Sequence, residues 1–191
     1  MATNNRPKMV EIIAPKDVWQ GKADAPVALI GYGDYESEAC AKAHEVVKKL
    51  LQTFGNKLKF SYRHFPLTQI HQRSHKAAEA AVAAAQEGKF WDMHELLFRN
   101  RKHLGSVSLK EYAREAGVVD KNFLPKLVDS LYGWTVRNDL LEGLNKGVRD
   151  VPAFFINNEP FTGKPTFENL RKAIEEALRA GKRKIPVKQR A

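Results

Sequence analysis

An α/β fold class, a sheet domain interrupted between its halves by an all-helical insertion, follows from three observations in this 191-residue chain. Residues 1–70 carry a strand–helix–strand pattern, residues 71–146 carry only helical periodicity, and strand and helix signals return over 147–181. That order predicts one sheet split by an insert rather than two serial domains. Composition agrees: 43% hydrophobic and 28% charged residues exclude collagen, coiled coil and disorder.

Each element has its own signal. Val27, Ala28, Leu29 and Ile30 make an apolar run that predicts a buried strand over 27–32, turned by Gly31, Gly33 and Asp34. A helix then starts near Ser37 or Cys40. Its inner face carries Ala43, Val46, Val47, Leu50, Leu51 and Phe54, and Gly55 stops it. Over 58–65, Leu58, Phe60 and Tyr62 alternate with Lys59, Ser61 and Arg63, the period of a half-buried strand.

The insertion reads as a series of short helices. An Ala-rich one spans 74–87. A second, with Phe90, His94, Leu97 and Phe98 inward, ends by Gly105. Ser108 and Glu111 have capping-box spacing for a third that stops at Gly117, Asp120 is placed to cap a fourth, and 135–146 forms a fifth. After it, 153–156 predicts a strand, Asn157 and Asn158 a hairpin turn, and Thr166 the cap of a last helix closed by Gly181.

Charge and cysteine usage narrow the function classes. The net charge is +10, but Arg179, Lys182, Arg183, Lys184, Lys188 and Arg190 concentrate much of the surplus in the stretch Arg179–Arg190, mostly in a basic C-terminal tail, 182–191. Such a run is a solvated tail more often than a nucleic-acid surface, so a nucleic-acid partner is disfavoured. No apolar run reaches the ~18 residues of a membrane span, so no membrane partner is expected. One cysteine, Cys40, excludes an intramolecular disulfide and a cysteine-based zinc cage. The polar stretch 1–8 shows no secretory signal, and the expected compartment is the cytoplasm. His71 and His75 are four apart, but helix is expected only from Ser74, and no metal site is expected.

Four stretches together carry a family resemblance. They are Asp34-Tyr35-Glu36-Ser37-Glu38-Ala39-Cys40, Arg63-His64-Phe65-Pro66-Leu67 followed by His71, residues 88–98, and Gly147-Val148-Arg149-Asp150-Val151-Pro152-Ala153-Phe154-Phe155. In order and spacing they resemble DsbA-type thioredoxin-fold proteins, from about Asp17 to Leu178. The resemblance implies a thioredoxin-like domain over 1–70 and 147–181, the helical insertion over 71–146, and thiol–disulfide oxidoreduction as the lineage's activity. It also implies a cis bond before Pro152, whose loop lies against the Ser37–Cys40 turn.

Against that pattern the chain departs at several positions. Ser37 stands where the family has its attacking cysteine. A hydroxyl cannot enter or leave by disulfide exchange, so dithiol chemistry within one chain is closed. Gly31 stands where relatives have a buried acid, Glu38 where many have proline, and Asp150 where a glycine is usual.

The candidate catalytic residues are Ser37 and Cys40, with Val151, Pro152, Tyr35 and Glu38 expected to line the substrate. Ser37 reads as an N-cap or as a hydroxyl donor to a bound thiolate, as the resemblance to kappa-class glutathione transferases implies. Cys40 reads as a buried inert thiol or as a monothiol forming mixed disulfides. Three mechanisms stay open: a monothiol or glutathione-linked enzyme, a transferase- or isomerase-like enzyme using Ser37, and a non-catalytic peptide-binding or chaperone-like module. No cofactor is expected to be bound, glutathione is the small thiol the resemblance brings in, and the expected partner is a thiol- or disulfide-bearing peptide or glutathione.

Overall fold

The computed structural model describes residues 18–183; the polar stretch 1–8 and residues 184–191 of the basic tail lie outside the described residues. Five strands form one sheet in the order β1-β3-β2-β4-β5. The strands are β1 (Trp19–Gly21), β2 (Val27–Gly33), β3 (Leu58–His64), β4 (Ala153–Ile156) and β5 (Glu159–Pro160). β2 lies at the centre, parallel to β3 and antiparallel to β4, which explains its unbroken apolar run. Val27 and Leu29 are fully buried on it.

Helix α1 (Glu38–Phe54) crosses between β2 and β3 and packs against β3 and the last helix, α7 (Phe167–Arg183). The stop at Gly55 is real: its φ is +49° and its N–H donates to the Leu51 carbonyl. Thr166 caps α7, its Oγ1 accepting from the Asn169 N–H at 3.3 Å.

Five helices separate β3 from β4: α2 (Ser74–Ala85), α3 (Phe90–Arg99), α4 (Ser106–Glu115), α5 (Phe123–Val128) and α6 (Gly133–Asn145). α2 is their hub, packed against each of the other four. Its alanines make this possible, since Ala77, Ala80, Ala81 and Ala84 are fully buried and let neighbouring backbones approach closely.

Several local expectations yield to packing. β3 is buried on both faces rather than half-buried, because α6 covers one side; the Asp139 carboxylate accepts the His64 N–H at 3.0 Å. α4 begins at Ser106 with Gly105 as its cap, so Ser108 and Glu111 form no capping box; burying Leu109 and Ala113 sets the start. Asp120 is not the cap of α5, which is Asn122; Asp120 accepts the Asn122 N–H and pairs with Lys126. α7 runs through Gly181 to Arg183, since an exposed glycine costs a helix only about 1 kcal/mol. β1, three residues long, carries too short a pattern to be legible.

Gly143 brings α6 onto the sheet. A Cβ there would lie 2.9 Å from Phe65 Cδ2 and 3.0 Å from two ring carbons of Tyr32. Alanine gains about 1 kcal/mol of helix propensity, whereas overpacking costs roughly 1–3 kcal/mol. Gly143→Ala is therefore expected to lower stability by up to about 2 kcal/mol, seen as a reduced urea midpoint at unchanged slope. A midpoint that rises would show that the two rings yield freely.

Candidate functional site

The turn from β2 into α1 collects the site residues. Ser37 has extended backbone (φ −70°, ψ 126°) and its Oγ accepts the Cys40 N–H at 3.3 Å, so the residue caps α1. Cys40 lies one turn on, with its side chain turned inward. The residue is 2% exposed, and Sγ accepts the Asp34 N–H at 3.4 Å. Behind the thiol is a chamber of about 20 Å³ lined by Gly31, Tyr62, His94, Phe154 and Pro152, among others. That is room for about one water and not for a substrate.

Electrostatics keep this thiol protonated. Burial pushes it up to about 11 from an ordinary 9.0, opposed by the bonds to Ser37 and Asp34 and reinforced by the Asp34 and Asp150 charges. At pH 8 only about one thiol in a thousand is then ionised.

Asp34 organises the turn. One carboxylate oxygen accepts the Glu36 N–H at 2.7 Å, while the other accepts the Leu67 N–H at 2.7 Å and lies 3.0 Å from His71 Nδ1. Glu36 in turn accepts the Arg73 N–H at 2.7 Å. His71 is thus committed to Asp34, and His75 faces Glu79 instead, so the two histidines do not converge. Of the possible ligand groups among the described residues, His44, Glu45 and Glu95 lie close together, but the Lys48 ammonium already bridges both carboxylates at 3.4 and 2.9 Å. The cluster is an ion-pair network.

Tyr35, expected to line the substrate, is 1% exposed. Its hydroxyl is 2.8 Å from His94 Nδ1 and its ring packs on Tyr62 and Phe98. Burial holds Tyr35 well above its ordinary value and His94 well below, so the phenol donates to a neutral imidazole. Tyr35 therefore docks the turn onto α3 and presents nothing to a ligand. Glu38, expected beside the substrate and as a charge opposing a thiolate, is exposed and paired with Lys42 at 2.9 Å and Arg101 at 3.3 Å. Two cations hold its carboxyl below the usual range, so its charge reaches the turn largely compensated.

The other wall is the loop into β4. The Val151–Pro152 peptide is cis, and Pro152 lines the chamber behind Cys40. An open groove of about 610 Å³ runs beside it, between Ala39, Lys42, Ala43 and Val46 of α1 and the segments around Asp150, Val151, Pro152 and Pro165. The sequence brings Ser37, Cys40, Val151 and Pro152 to one locality. It does not reveal the Tyr35–His94 pair or the bond from the Val151 N–H to Asp150 Oδ1 at 2.8 Å. The signal for the first was His94 on the apolar face of α3.

This sheet, insertion and one-thiol turn define a thioredoxin-like fold of DsbA type with a Ser-x-x-Cys turn at the start of α1. A family model described as thioredoxin matches residues 14–176, and the chain belongs to that family. Among solved structures, oxidised BdbD from Bacillus subtilis superposes with a TM-score of 0.78 at 22% identity, covering 85% of this chain and 93% of that one. α-DsbA1 from Wolbachia pipientis gives 0.73 at 20% identity over 93% and 98% of the two chains. A periplasmic thioredoxin-like protein from Salmonella enterica serovar Typhimurium gives 0.72 at 22% identity over 89% and 94%. At these identities the likeness carries the fold.

Curated relatives are named differently. The Na(+)/H(+) antiporter NhaA 1 of Salinispora arenicola is 34% identical over 178 residues, 93% of this chain and 27% of that protein. NhaA 3 of Salinispora tropica is 32% identical over 170 residues, 89% and 26%. The chain spans about a quarter of the length of these relatives. The cytoplasmic compartment expected from the sequence is overturned by the structural matches, which include a periplasmic protein. One cysteine that cannot pair within its chain is compatible with either redox setting, so cysteine usage held no information on compartment.

Two outcomes test the geometry. The first concerns Cys40. Iodoacetamide at pH 8 should label it at least about 100-fold more slowly in the native protein than in urea, given thiolate fractions of about one in a thousand against one in ten. Since folding raises this thiol from 9.0 to about 11, its contribution to stability is full below pH 9 and is lost as the pH rises through 11. The loss reaches about 3 kcal/mol, and Cys40→Ala should flatten its onset between pH 9 and 10. Rapid native labelling would contradict the burial.

The second concerns residue 31. A Cβ on Gly31 would lie 3.0 Å from ring carbons of both Phe60 and Phe154, so a side chain there would meet both rings. Ser37→Cys should form an internal disulfide, seen as a two-proton mass loss on oxidation, yet reduce insulin slowly. Adding Gly31→Glu should cost about 1–3 kcal/mol of stability through overpacking. A faster double variant of undiminished stability would show that the rings make room.

Proposed function

We propose that this protein binds thiol- or disulfide-bearing polypeptides in extended form at the surface beside Ser37 and Pro152, without exchanging disulfides itself. The observation that carries the reading is the contrast between a sealed thiol and an open groove. Cys40 is buried and held protonated, whereas the groove beside Pro152 lies open along α1. A monothiol role needs the opposite, an exposed sulfur with a lowered pKa. Relatives of this fold named as oxidoreductases and exchange proteins, together with a periplasmic neighbour, suit a setting where disulfide-bearing polypeptides persist.

Glutathione fits the site poorly. Ser37 is only 8% exposed and its oxygen already accepts from Cys40. The Val151 amide is engaged by Asp150, an anion that would face the two carboxylates of the tripeptide.

The test pairs turnover with binding. Insulin reduction by the purified chain should not exceed the protein-free rate. Calorimetry with an extended cysteine-containing peptide should give a 1:1 complex that survives Cys40→Ala. Val46→Asp, which puts a charge on the apolar wall, should weaken that complex at least about tenfold. Insulin turnover, or peptide binding indifferent to Val46→Asp, would overturn the reading.

A further inference from the structure

Resting on that reading, we infer that Asp150 sets the groove's ligand preference: its carboxylate covers the amide beside Pro152 and selects extended segments carrying lysine or arginine over acidic ones. The geometry begins with one bond. Asp150 Oδ1 accepts the Val151 N–H at 2.8 Å, so the backbone donor facing the groove is satisfied within the loop. The two residues, with Pro152, line the same wall. A residue at 150 with no side-chain acceptor would leave that amide free.

Neither Arg149 nor Lys42 neutralises the carboxylate. Arg149, its neighbour in sequence, turns its guanidinium away to donate to the Leu144 and Val148 carbonyls at 2.8 and 2.9 Å. Lys42, the cation on the opposite wall, is paired with Glu38, as is Arg101. Among the described residues Asp150 makes no ion pair, and it is exposed. Its charge is also felt inside, where it helps keep Cys40 protonated.

A ligand strand must therefore displace a charged acceptor before it can pair with Val151. Charge-assisted bonds are the stronger kind, so a neutral carbonyl competes poorly. A lysine or arginine on the incoming strand draws the carboxylate off the amide and opens the donor in the same step. A glutamate adds repulsion to an amide still covered.

The experiment uses three nine-residue peptides with one cysteine-containing core, flanked by lysine, serine or glutamate, and glutathione as a fourth ligand. Calorimetry on the full chain should rank them lysine, serine, glutamate, with about tenfold between the ends at low salt and a narrower span at 0.5 M. Glutathione should not bind. Asp150→Asn keeps an acceptor but removes the charge, and should bring the three peptides within about twofold. Asp150→Gly frees the amide and should also tighten the serine peptide about three- to tenfold. If Asp150→Asn keeps the wild-type ranking, or Asp150→Gly leaves the serine peptide unchanged, the inference fails while peptide binding stands. If no peptide binds to any form, the binding role itself fails and this inference goes with it.

Discussion

The Asp34 carboxylate joins three segments that are far apart in sequence, and the site's shape depends on that junction. It is 1% exposed, and a buried carboxylate costs several kcal/mol unless donors surround it. Here they come from the turn itself through Glu36, from the exit of β3 through Leu67, and from the approach to α2 through His71. The Asp34 N–H, facing the other way, donates to Cys40 Sγ. One residue thus sets where the insertion leaves the sheet and where the thiol points.

The insertion then acts as a clamp on the turn. Tyr35 is drawn into α3 by His94, and Glu38 is tied to Arg101 just beyond that helix. Both bonds tie the start of α1 to the insertion. The groove is left with one wall from α1 and one from the loop into β4, and neither wall includes the insertion. Phe60 and Phe154 close the space behind Cys40 from the sheet side. A side chain at residue 31 would therefore meet both rings.

How much of this was legible in the sequence follows from the range of each cause. α1, β2 and β4 were legible because their burial is periodic or continuous, and the stop at Gly55 because it needs only a left-handed backbone. Ser37 as a cap was legible for the same reason: donor and acceptor are three residues apart. The starts of α4 and α5 were misplaced because capping signals, worth about 1 kcal/mol, lost to the burial of Leu109, Ala113 and Phe123. Tyr35 was misplaced because a motif fixes its backbone near the groove while His94, 59 residues away, decides which way the ring turns. The Asp150 cap was hidden because its meaning depends on where Arg149 and Lys42 point. No pattern of residue types records that.

Net charge and local charge lead to opposite expectations here, and distance decides between them. At +10 the chain as a whole attracts anions, yet its groove presents an uncompensated carboxylate. Six basic side chains lie at residues 179–190 of the sequence, while Lys42 on the groove wall is paired with Glu38, as is Arg101. At physiological ionic strength fields between exposed charges fade over roughly 8 Å. On the proposed reading, a ligand within the groove responds first to the charges on its walls, Asp150 among them. The global charge bears on solubility and on encounter at low salt, whereas on the proposed reading the choice of ligand rests with Asp150, whose carboxylate accepts the Val151 N–H.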